Sequence, residues 1–292
     1  MREFDYHSPA SLEAALSLLD RCQGAKVLAG GTDLIVQMKE GRIRPQVLID
    51  VKGVAELNRL AFVEDGALFI GAAVPLNRII SYPRVRTVFP ALFEACSIVG
   101  SMQLRNRATM GGNICNGAPS ADTAPPLLTL SARAIVAGPG GSRPVPMAEF
   151  FIGPGRTVVG EKEILVGIEV PPPQFPCGGS YLRHIPRQEM DIAVAGVASF
   201  LLFDREDVCK EARIALGAVA PTPMRSGRAE SILSKRPLTE ELIEEAAGEA
   251  SEEASPISDV RASAAYRREI VKVLTKRTVK AAWERHRVER HH

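Results

Sequence analysis

The sequence has few cysteines, and they are scattered. Its five cysteines form no Cys-x-x-Cys pair and lie at Cys22, Cys96, Cys115, Cys177 and Cys209. An iron–sulfur cluster needs several thiolates close together, and a zinc site or disulfide framework needs comparable spacing. The scattering argues against all three groups in this chain, so no metal site is predicted. It is typical of a protein of the reducing cytoplasm.

Long apolar runs and an excess of one charge are also missing. The longest apolar run, residues 192–203, has 12 residues, whereas a helix needs roughly 20 to cross a bilayer. Polar groups interrupt the segment Met1–His7, which is unlike a signal peptide. The net charge is only +2 and its basic residues are mixed with acids, which does not favour nucleic-acid binding. We therefore expect a cytoplasmic protein with no membrane span and no nucleic-acid partner.

Catalytic signatures of hydrolases are absent from the sequence. It contains no Gly-x-Ser-x-Gly elbow, no Gly-x-x-x-x-Gly-Lys-Ser/Thr loop and no His-x-x-x-His pair. His184 is the only histidine between residues 8 and 285, and we interpret it as structural. Cys115 has no histidine near it in the sequence, and we expect it to be a small packed residue. No catalytic side chain is predicted, which favours a protein whose chemistry comes from a bound redox cofactor.

Two glycine-rich segments are the most informative positive feature. The first reads Val27-Leu28-Ala29-Gly30-Gly31-Thr32-Asp33-Leu34, and the second reads Thr109-Met110-Gly111-Gly112-Asn113, followed by Ser120 and Asp122. Glycine lets backbone N–H groups approach a phosphate and permits positive φ, and a following helix N-terminus adds partial positive charge. Each segment alone is also compatible with a tight turn that binds nothing. Together they predict a cradle for a diphosphate, and hence a dinucleotide bound without a Rossmann fold.

Apolar periodicity predicts short helices alternating with short strands in the first 173 residues. Helices are expected over 11–19, 32–39 with Thr32 as N-cap, 88–97 and 122–130, and strands over 26–29, 47–51, 68–71, 134–137 and 164–170. The triplet Pro171–Pro173 with residues 174–179 marks a domain boundary. Beyond it, the pattern predicts an antiparallel hairpin of strands 192–203 and 209–219. Helices over about 226–235, 239–253 and 261–284 follow.

At this point the chain resembles a known family. The segments Leu28–Asp33 and Ala108–Pro125 look like the FAD-binding subunit of molybdenum hydroxylases, the xanthine dehydrogenase family. Supporting similarity lies in Glu163–Leu165 and Arg187–Ala193, so that the resemblance covers nearly the whole chain. The segment Cys115–Asp122 is more similar to bacterial xanthine (purine) dehydrogenase subunits than to carbon monoxide dehydrogenase subunits.

The resemblance implies an α+β fold. Its FAD-binding fold is of the vanillyl-alcohol-oxidase (PCMH) type, with two α+β subdomains. A C-terminal domain with a three-stranded antiparallel sheet and helices follows. The implied boundaries are 1–173 for the FAD domain, split near 55–60, then 178–285 for a domain of the CO dehydrogenase flavoprotein type, and 286–292 for a mobile tail.

The resemblance also implies which residues hold FAD. Val27 to Leu34 would line the diphosphate and adenosine, and Thr109 to Asn113 would complete the diphosphate cradle. Asp122 would hydrogen-bond the cofactor, with Ser120 in the same polar wall. Further expected contacts are Val99 and Leu165 near the flavin or adenine, and Arg183, which stands where many relatives have lysine. FAD rather than FMN rests on the resemblance, since the two segments alone indicate only a diphosphate.

In that family a large subunit oxidises the substrate at a molybdenum–pterin centre, and a small subunit relays electrons through two [2Fe-2S] clusters. The FAD subunit then passes a hydride to NAD. The resemblance therefore implies these two partner subunits, a dimer of heterotrimers, and purine as substrate. Two alternatives stay open: a complex for nicotinate, an aldehyde or carbon monoxide, and a non-redox nucleotide-binding relative. We also expect Gly111→Val to abolish FAD binding while leaving a folded protein.

Overall fold

The computed structural model describes residues 3–187 and 189–289. Its strands are short in the N-terminal part and long in the C-terminal part. They are β1 (Asp5–His7), β2 (Lys26–Leu28), β3 (Val47–Asp50), β4 (Leu60–Phe62), β5 (Leu68–Gly71), β6 (Arg133–Gly138), β7 (Gly141–Pro146), β8 (Phe151–Gly153), β9 (Arg156–Thr157), β10 (Ile164–Val170), β11 (Cys177–His184), β12 (Ala195–Phe203), β13 (Val208–Gly217), β14 (Met224–Arg225) and β15 (Arg236–Pro237).

The helices are short until the last two. They are α1 (Leu12–Arg21), α2 (Leu34–Lys39), α3 (Leu76–Ile80), α4 (Pro83–Val88), α5 (Pro90–Ile98), α6 (Met102–Arg105), α7 (Met110–Cys115), α8 (Ala124–Thr129), α9 (Met147–Phe150), α10 (Gly227–Leu233), α11 (Glu240–Glu253) and α12 (Ala264–Glu289). A 3-10 helix, Glu56–Asn58, connects β3 to β4.

The N-terminal part contains two main sheets. The first has the order β1-β3-β2 and is parallel, and α1 lies on it with Ala15 and Leu19 buried. The second is antiparallel with the order β4-β5-β10-β6-β7. The first sheet ends at Asp50 and the second begins at Leu60. Residues of both sheets contribute to one continuous apolar core.

The C-terminal part is an antiparallel sheet covered by helices. The order is β11-β12-β13-β14, with the short strand β15 also on β13. The predicted hairpin is confirmed as the β12–β13 pair, although Ile192–Val194 precede the strand. All nine residues of β12 are buried, because α12 and the N-terminal part cover it. The three long strands are those implied by the resemblance, and β14 and β15 add two residues each.

Several sequence predictions need correction. Thr32 is not the N-cap of α2, because the helix begins at Leu34 after Asp33, and neither residue makes a side-chain capping bond in the described chain. The strand β11 was not predicted. The predicted tail is helical over 286–289, and His286 is buried, stacked on Phe203 with ring centroids 3.9 Å apart. Residues 290–292 and Gln188 of the Arg187–Ala193 motif lie outside the described residues.

A buried ionic cluster joins the two parts of the chain. Asp122, just before α8, pairs with Arg183 of β11, and their side chains are only 8% and 7% exposed. The same carboxylate accepts a hydrogen bond from the Tyr181 hydroxyl at 2.8 Å. Beside it, Glu94 accepts from the Tyr181 backbone N–H at 2.7 Å and pairs with Arg285. Each of these two carboxylates of the N-terminal part, Asp122 and Glu94, therefore pairs with an arginine of the C-terminal part.

We predict that Arg183→Met destabilises the protein by about 3–5 kcal/mol, because it leaves the buried Asp122 carboxylate without its cation. Arg183→Lys restores a charge and should lose much less. Thermal unfolding of the full-length chain measures the effect. The control is Arg133→Met, which breaks the more exposed Arg133–Glu169 pair and should cost less than about 1 kcal/mol. Equal losses from Arg183→Met and the control would contradict the prediction.

Candidate functional site

The two glycine-rich segments lie against each other. A Cβ placed on Gly30 would lie 2.1 Å from the carbonyl oxygen of Arg107, two residues before Thr109. A second link joins the side chain of Gln37 to Asn116, whose Oδ1 accepts from Nε2 at 3.2 Å. The structure thus brings together the two segments that were singled out separately in the sequence, and only a glycine fits where they meet.

The first segment presents a row of free backbone donors. It leaves β2 after the buried Leu28 and turns at Gly31, where φ is +76°. The backbone N–H groups of the five residues from Gly30 to Leu34 have no hydrogen-bond acceptor in the described chain, and the ladder of α2 starts with the bond from Ile35 N–H to the Gly31 carbonyl. Thr32 is half-buried and Asp33 is exposed. Consecutive unpaired donors of this kind bind phosphate.

The second segment forms a helix rather than the loop expected from its sequence. Thr109 is the N-cap of α7, and its Oγ1 accepts from Gly112 N–H at 2.9 Å. The N–H groups of Met110 and Gly111 have no acceptor among the described residues. The side chain of Asn113 is fixed within the protein, because its Oδ1 accepts a hydrogen bond from the Thr123 hydroxyl at 2.6 Å. The start of α7 therefore adds two donors beside those of the first segment.

The two glycines of α7 have different environments. A Cβ on Gly111 would lie 2.5 Å from the carbonyl oxygen of Ala72, whereas one on Gly112 would meet only the Thr109 hydroxyl, at 3.1 Å. Gly111 is therefore required for packing of α7 against the second sheet. A valine side chain at Gly111 would collide with the Ala72 backbone, so Gly111→Val would force α7 to shift as well as disturb a bound diphosphate. The expectation that it abolishes FAD binding in a folded protein stays a prediction.

Asp122, Arg183 and Val99 lie close to one another. Arg183 donates to the Ile98 carbonyl at 2.7 Å, immediately before Val99, as well as pairing with Asp122. Burial and the adjacent Asp122 carboxylate raise the pKa of Tyr181. The phenol therefore stays protonated and donates a hydrogen bond to Asp122. The side chains of Asp122 and Arg183 are thus held by protein partners. Their direct contacts with a cofactor stay predictions.

The remaining candidate residues differ in exposure. Leu165 is buried in β10, next to the irregularity in its pairing with β6. Ser120 is half-buried, and the preceding Pro119 accepts from Ala218 N–H of the C-terminal part at 2.7 Å. Cys115 is exposed as a whole residue, yet burial of its thiol raises the pKa to about 12, so the expectation of a packed side chain stays a prediction. Contacts of Leu165 and Ser120 with a cofactor remain predictions.

Sequence interpretation missed a polar group beneath the first segment. Asp50, at the end of β3, is buried and accepts from Lys52 Nζ at 2.6 Å and from the Tyr6 hydroxyl. Burial alone would raise the pKa of the Asp50 carboxyl, yet the hydrogen bonds from Lys52 and Tyr6 hold it below its ordinary value. Lys52 also donates to the Ala29 carbonyl at 3.3 Å. The only sequence signal was an aspartate within the predicted apolar strand 47–51.

Other site classes find no support in the described ranges. Residues 3–187 and 189–289 contain no cluster of His, Cys, Asp and Glu arranged to hold a metal ion. Over the same ranges, no helix has both the length and the apolar composition for crossing a membrane. His184 contacts the Tyr266 hydroxyl at 3.2 Å, in keeping with a structural role.

Comparison with known proteins gives a consistent result. Residues 2–173 match the FAD binding domain in molybdopterin dehydrogenase, and residues 180–282 match the CO dehydrogenase flavoprotein C-terminal domain. The chain is 36% identical to a xanthine dehydrogenase FAD-binding subunit of Escherichia coli O157:H7, covering 95% of both chains. It is 35% identical to the carbon monoxide dehydrogenase medium chain of Hydrogenophaga pseudoflava, covering 97% of this chain and 98% of the relative.

Solved structures agree with these matches. A carbon monoxide dehydrogenase structure from Hydrogenophaga pseudoflava superposes with a TM-score of 0.93, covering 97% of this chain and 98% of the other at 35% identity. Quinoline 2-oxidoreductase from Pseudomonas putida 86 superposes with a TM-score of 0.91 at 29% identity, covering 97% and 98%. The chain therefore belongs to the family of FAD-binding medium subunits of molybdenum hydroxylases.

Proposed function

We propose that this chain carries FAD as the electron-transfer subunit of a xanthine (purine) dehydrogenase. It would take electrons from [2Fe-2S] clusters of a small partner subunit and reduce NAD. A large partner subunit with a molybdenum–pterin centre would oxidise the purine. The observation that carries the cofactor assignment is the contact of Gly30 with the Arg107 carbonyl, which brings the two segments together, each with backbone N–H groups that lack acceptors in the described chain.

The residues present fit a dinucleotide diphosphate. The N–H groups from Gly30 to Leu34, with those of Met110 and Gly111, would donate to its phosphate oxygens. These dipoles are already oriented by α2, α7 and the buried packing of Gly111, so little ordering is needed on binding. Bound FAD supplies the exchange between single-electron and hydride transfer, a chemistry that amino-acid side chains do not provide. The protein itself would bind the cofactor, orient it and enclose it.

The division of labour among subunits is supported by the cysteines. All five cysteines lie in the described residues, and those residues contain no group of three or more His, Cys, Asp and Glu side chains that could hold a metal ion. Such an arrangement cannot ligate a cluster, so clusters that feed the flavin would belong to another chain. Relatives named as medium chains or FAD-binding subunits agree with a multi-subunit complex, which we propose to be a dimer of heterotrimers.

The substrate is the least constrained part of the proposal. Purine is favoured by the Cys115–Asp122 segment and by the xanthine dehydrogenase relative, at 36% identity. Relatives named for carbon monoxide and for nicotinate match at 35% and 29%, so these are the alternatives. A non-redox relative is disfavoured, because both glycine pairs and their unpaired donors are retained.

The complex itself provides the main test. We expect the tagged full-length chain, isolated from its own host with its partners, to release FAD at about one per chain, as flavin spectra of denatured samples would show. Iron and molybdenum should copurify, and hypoxanthine should support NAD reduction. A flavin-containing complex active only on nicotinate or an aldehyde would replace the purine proposal. A colourless preparation that FAD cannot restore would withdraw the redox function.

The separated chain tests whether substrate oxidation belongs to another subunit. The isolated full-length chain should not oxidise xanthine, because substrate oxidation would require the molybdenum centre of another subunit. The measurement is urate formation by the separated chain and by the complex at equal flavin content. Turnover by the separated chain would contradict the proposed division of labour.

Gly30→Ala tests the contact between the two segments. Its methyl group would push against the Arg107 carbonyl, so we expect FAD content to fall to roughly a tenth of wild type or less, since moving donors by about 1 Å breaks their hydrogen bonds. The matched control is Gly140→Ala, where no atom lies within 4 Å of the added Cβ. It should retain full FAD content. Normal FAD content in Gly30→Ala would mean that this contact does not shape the site.

A further inference from the structure

We propose that Lys52 is a positioning residue for the first glycine segment. It would orient the Ala29–Gly30 peptide so that the Gly30 N–H faces the cofactor diphosphate. This inference rests on the proposed function, because it assigns a role toward bound FAD. Lys52 lies outside both glycine segments.

Two bonds extend the pairing of β3 beyond its last residue. Val51 N–H donates to the Leu28 carbonyl at 3.0 Å. Lys52 then continues with its side chain, as Nζ donates to the Ala29 carbonyl at 3.3 Å. The carbonyls of Leu28 and Ala29, the last residue of β2 and the next, thus both accept hydrogen bonds from residues that follow β3.

The direction of a peptide bond links this contact to the cofactor side. In a trans peptide the carbonyl and the following N–H point in opposite directions. Because the Ala29 carbonyl points toward Lys52, the N–H of Gly30 points away from it, and it has no acceptor in the described chain. The Arg107 carbonyl packs against Gly30, so the peptide is held between Lys52 and the second segment.

Asp50 in turn fixes Lys52. Its carboxylate accepts from Lys52 Nζ at 2.6 Å and from the Lys52 backbone N–H at 3.0 Å. The Lys52 side chain is 31% exposed and that of Asp50 is 7% exposed. The ammonium is therefore largely neutralised by its neighbour, which favours an orienting role over direct attraction of the phosphates. A direct charge would show strong dependence on salt, whereas a fixed backbone donor would not.

Three variants separate these roles in the tagged complex. Lys52→Met removes the ammonium and retains most of the side-chain length, and Lys52→Arg restores a donor. Tyr6→Phe removes a different hydrogen bond from the same Asp50 carboxylate and leaves the Ala29 contact intact. FAD is stripped with a chaotropic salt, and its dissociation constant on rebinding is measured by flavin fluorescence. Thermal unfolding of each stripped sample shows how far Asp50 is disturbed.

We expect Lys52→Met to raise the dissociation constant of FAD about tenfold, as loss of one charge-assisted hydrogen bond implies. Lys52→Arg should recover most of the affinity, and Tyr6→Phe should stay within roughly twofold of wild type even if it lowers the melting temperature. The ratio between Lys52→Met and wild type should be the same at roughly 0.05 and 0.5 M salt.

Other outcomes overturn the inference in distinct ways. If Lys52→Met and Tyr6→Phe lose equal affinity for FAD, the effect comes from disturbing the Asp50 carboxylate and not from the bond to the Ala29 carbonyl. If the ratio of the FAD dissociation constants of Lys52→Met and wild type becomes smaller at high salt, Lys52 contacts the phosphates directly. Unchanged affinity in Lys52→Met, with wild type binding FAD, would remove Lys52 from the site and leave the proposed function standing. If the wild-type complex holds no FAD as isolated and cannot take it up, the proposed function fails.

Discussion

The close approach of two backbones at Gly30 is the constraint on which the rest of the site depends. The first segment leaves a parallel sheet, and the second starts a helix packed on an antiparallel sheet, so nothing in local structure holds them together. Their contact adds to the apolar core that the two sheets share. It also explains the unusual composition of the segments, because any side chain at Gly30 would overlap the Arg107 carbonyl. Backbone N–H groups of both segments have no acceptor in the described chain, and a diphosphate could satisfy them.

The second segment contacts three other parts of the chain. Gly111 packs on Ala72, the residue after β5 of the second sheet. The side chain of Asn116 bonds to Gln37 of α2, and Asp122 pairs with Arg183 of the C-terminal part. A segment with so many neighbours has little room for large side chains, which accounts for its glycine, proline and small polar residues. The C-terminal part is thus linked to the end of the second segment by a buried ion pair. Such pairs are sensitive to loss of either partner, and they align the surfaces they join.

Elements with strong local signals were predicted well. The strands Leu68–Gly71 and Ile164–Val170 have the predicted bounds, because they are apolar runs with turn residues near their ends. Strand β11 was missed because its Gly178-Gly179-Ser180 start has low strand propensity. Gly178 is needed there, as its Cβ would lie 1.9 Å from the carbonyl oxygen of Ala282 in α12. That requirement comes from a helix about a hundred residues later and is invisible in a local window.

The same distinction applies to helix ends. Helix α7 was not predicted, because paired glycines disfavour helix, and its Thr109 cap and the packing of Gly111 compensate. The last helix continues through His286, because that ring stacks on Phe203 and its Nε2 lies 2.8 Å from Asp207. Neither partner is near in sequence. Pattern analysis sees propensity, whereas these ends are decided by contacts made after the chain has folded.

A family motif identifies which residues approach a ligand, but it does not say what orients them. The glycine pairs were found from the sequence because close approach demands glycine whatever surrounds it. Tyr6, Asp50 and Lys52 come together only when β1 and β3 pair in register, and each is an ordinary residue in its own segment. A backbone donor has no side chain with which to correct its aim. Its direction must come from whatever holds the adjacent carbonyl, and that residue is free to lie outside the motif.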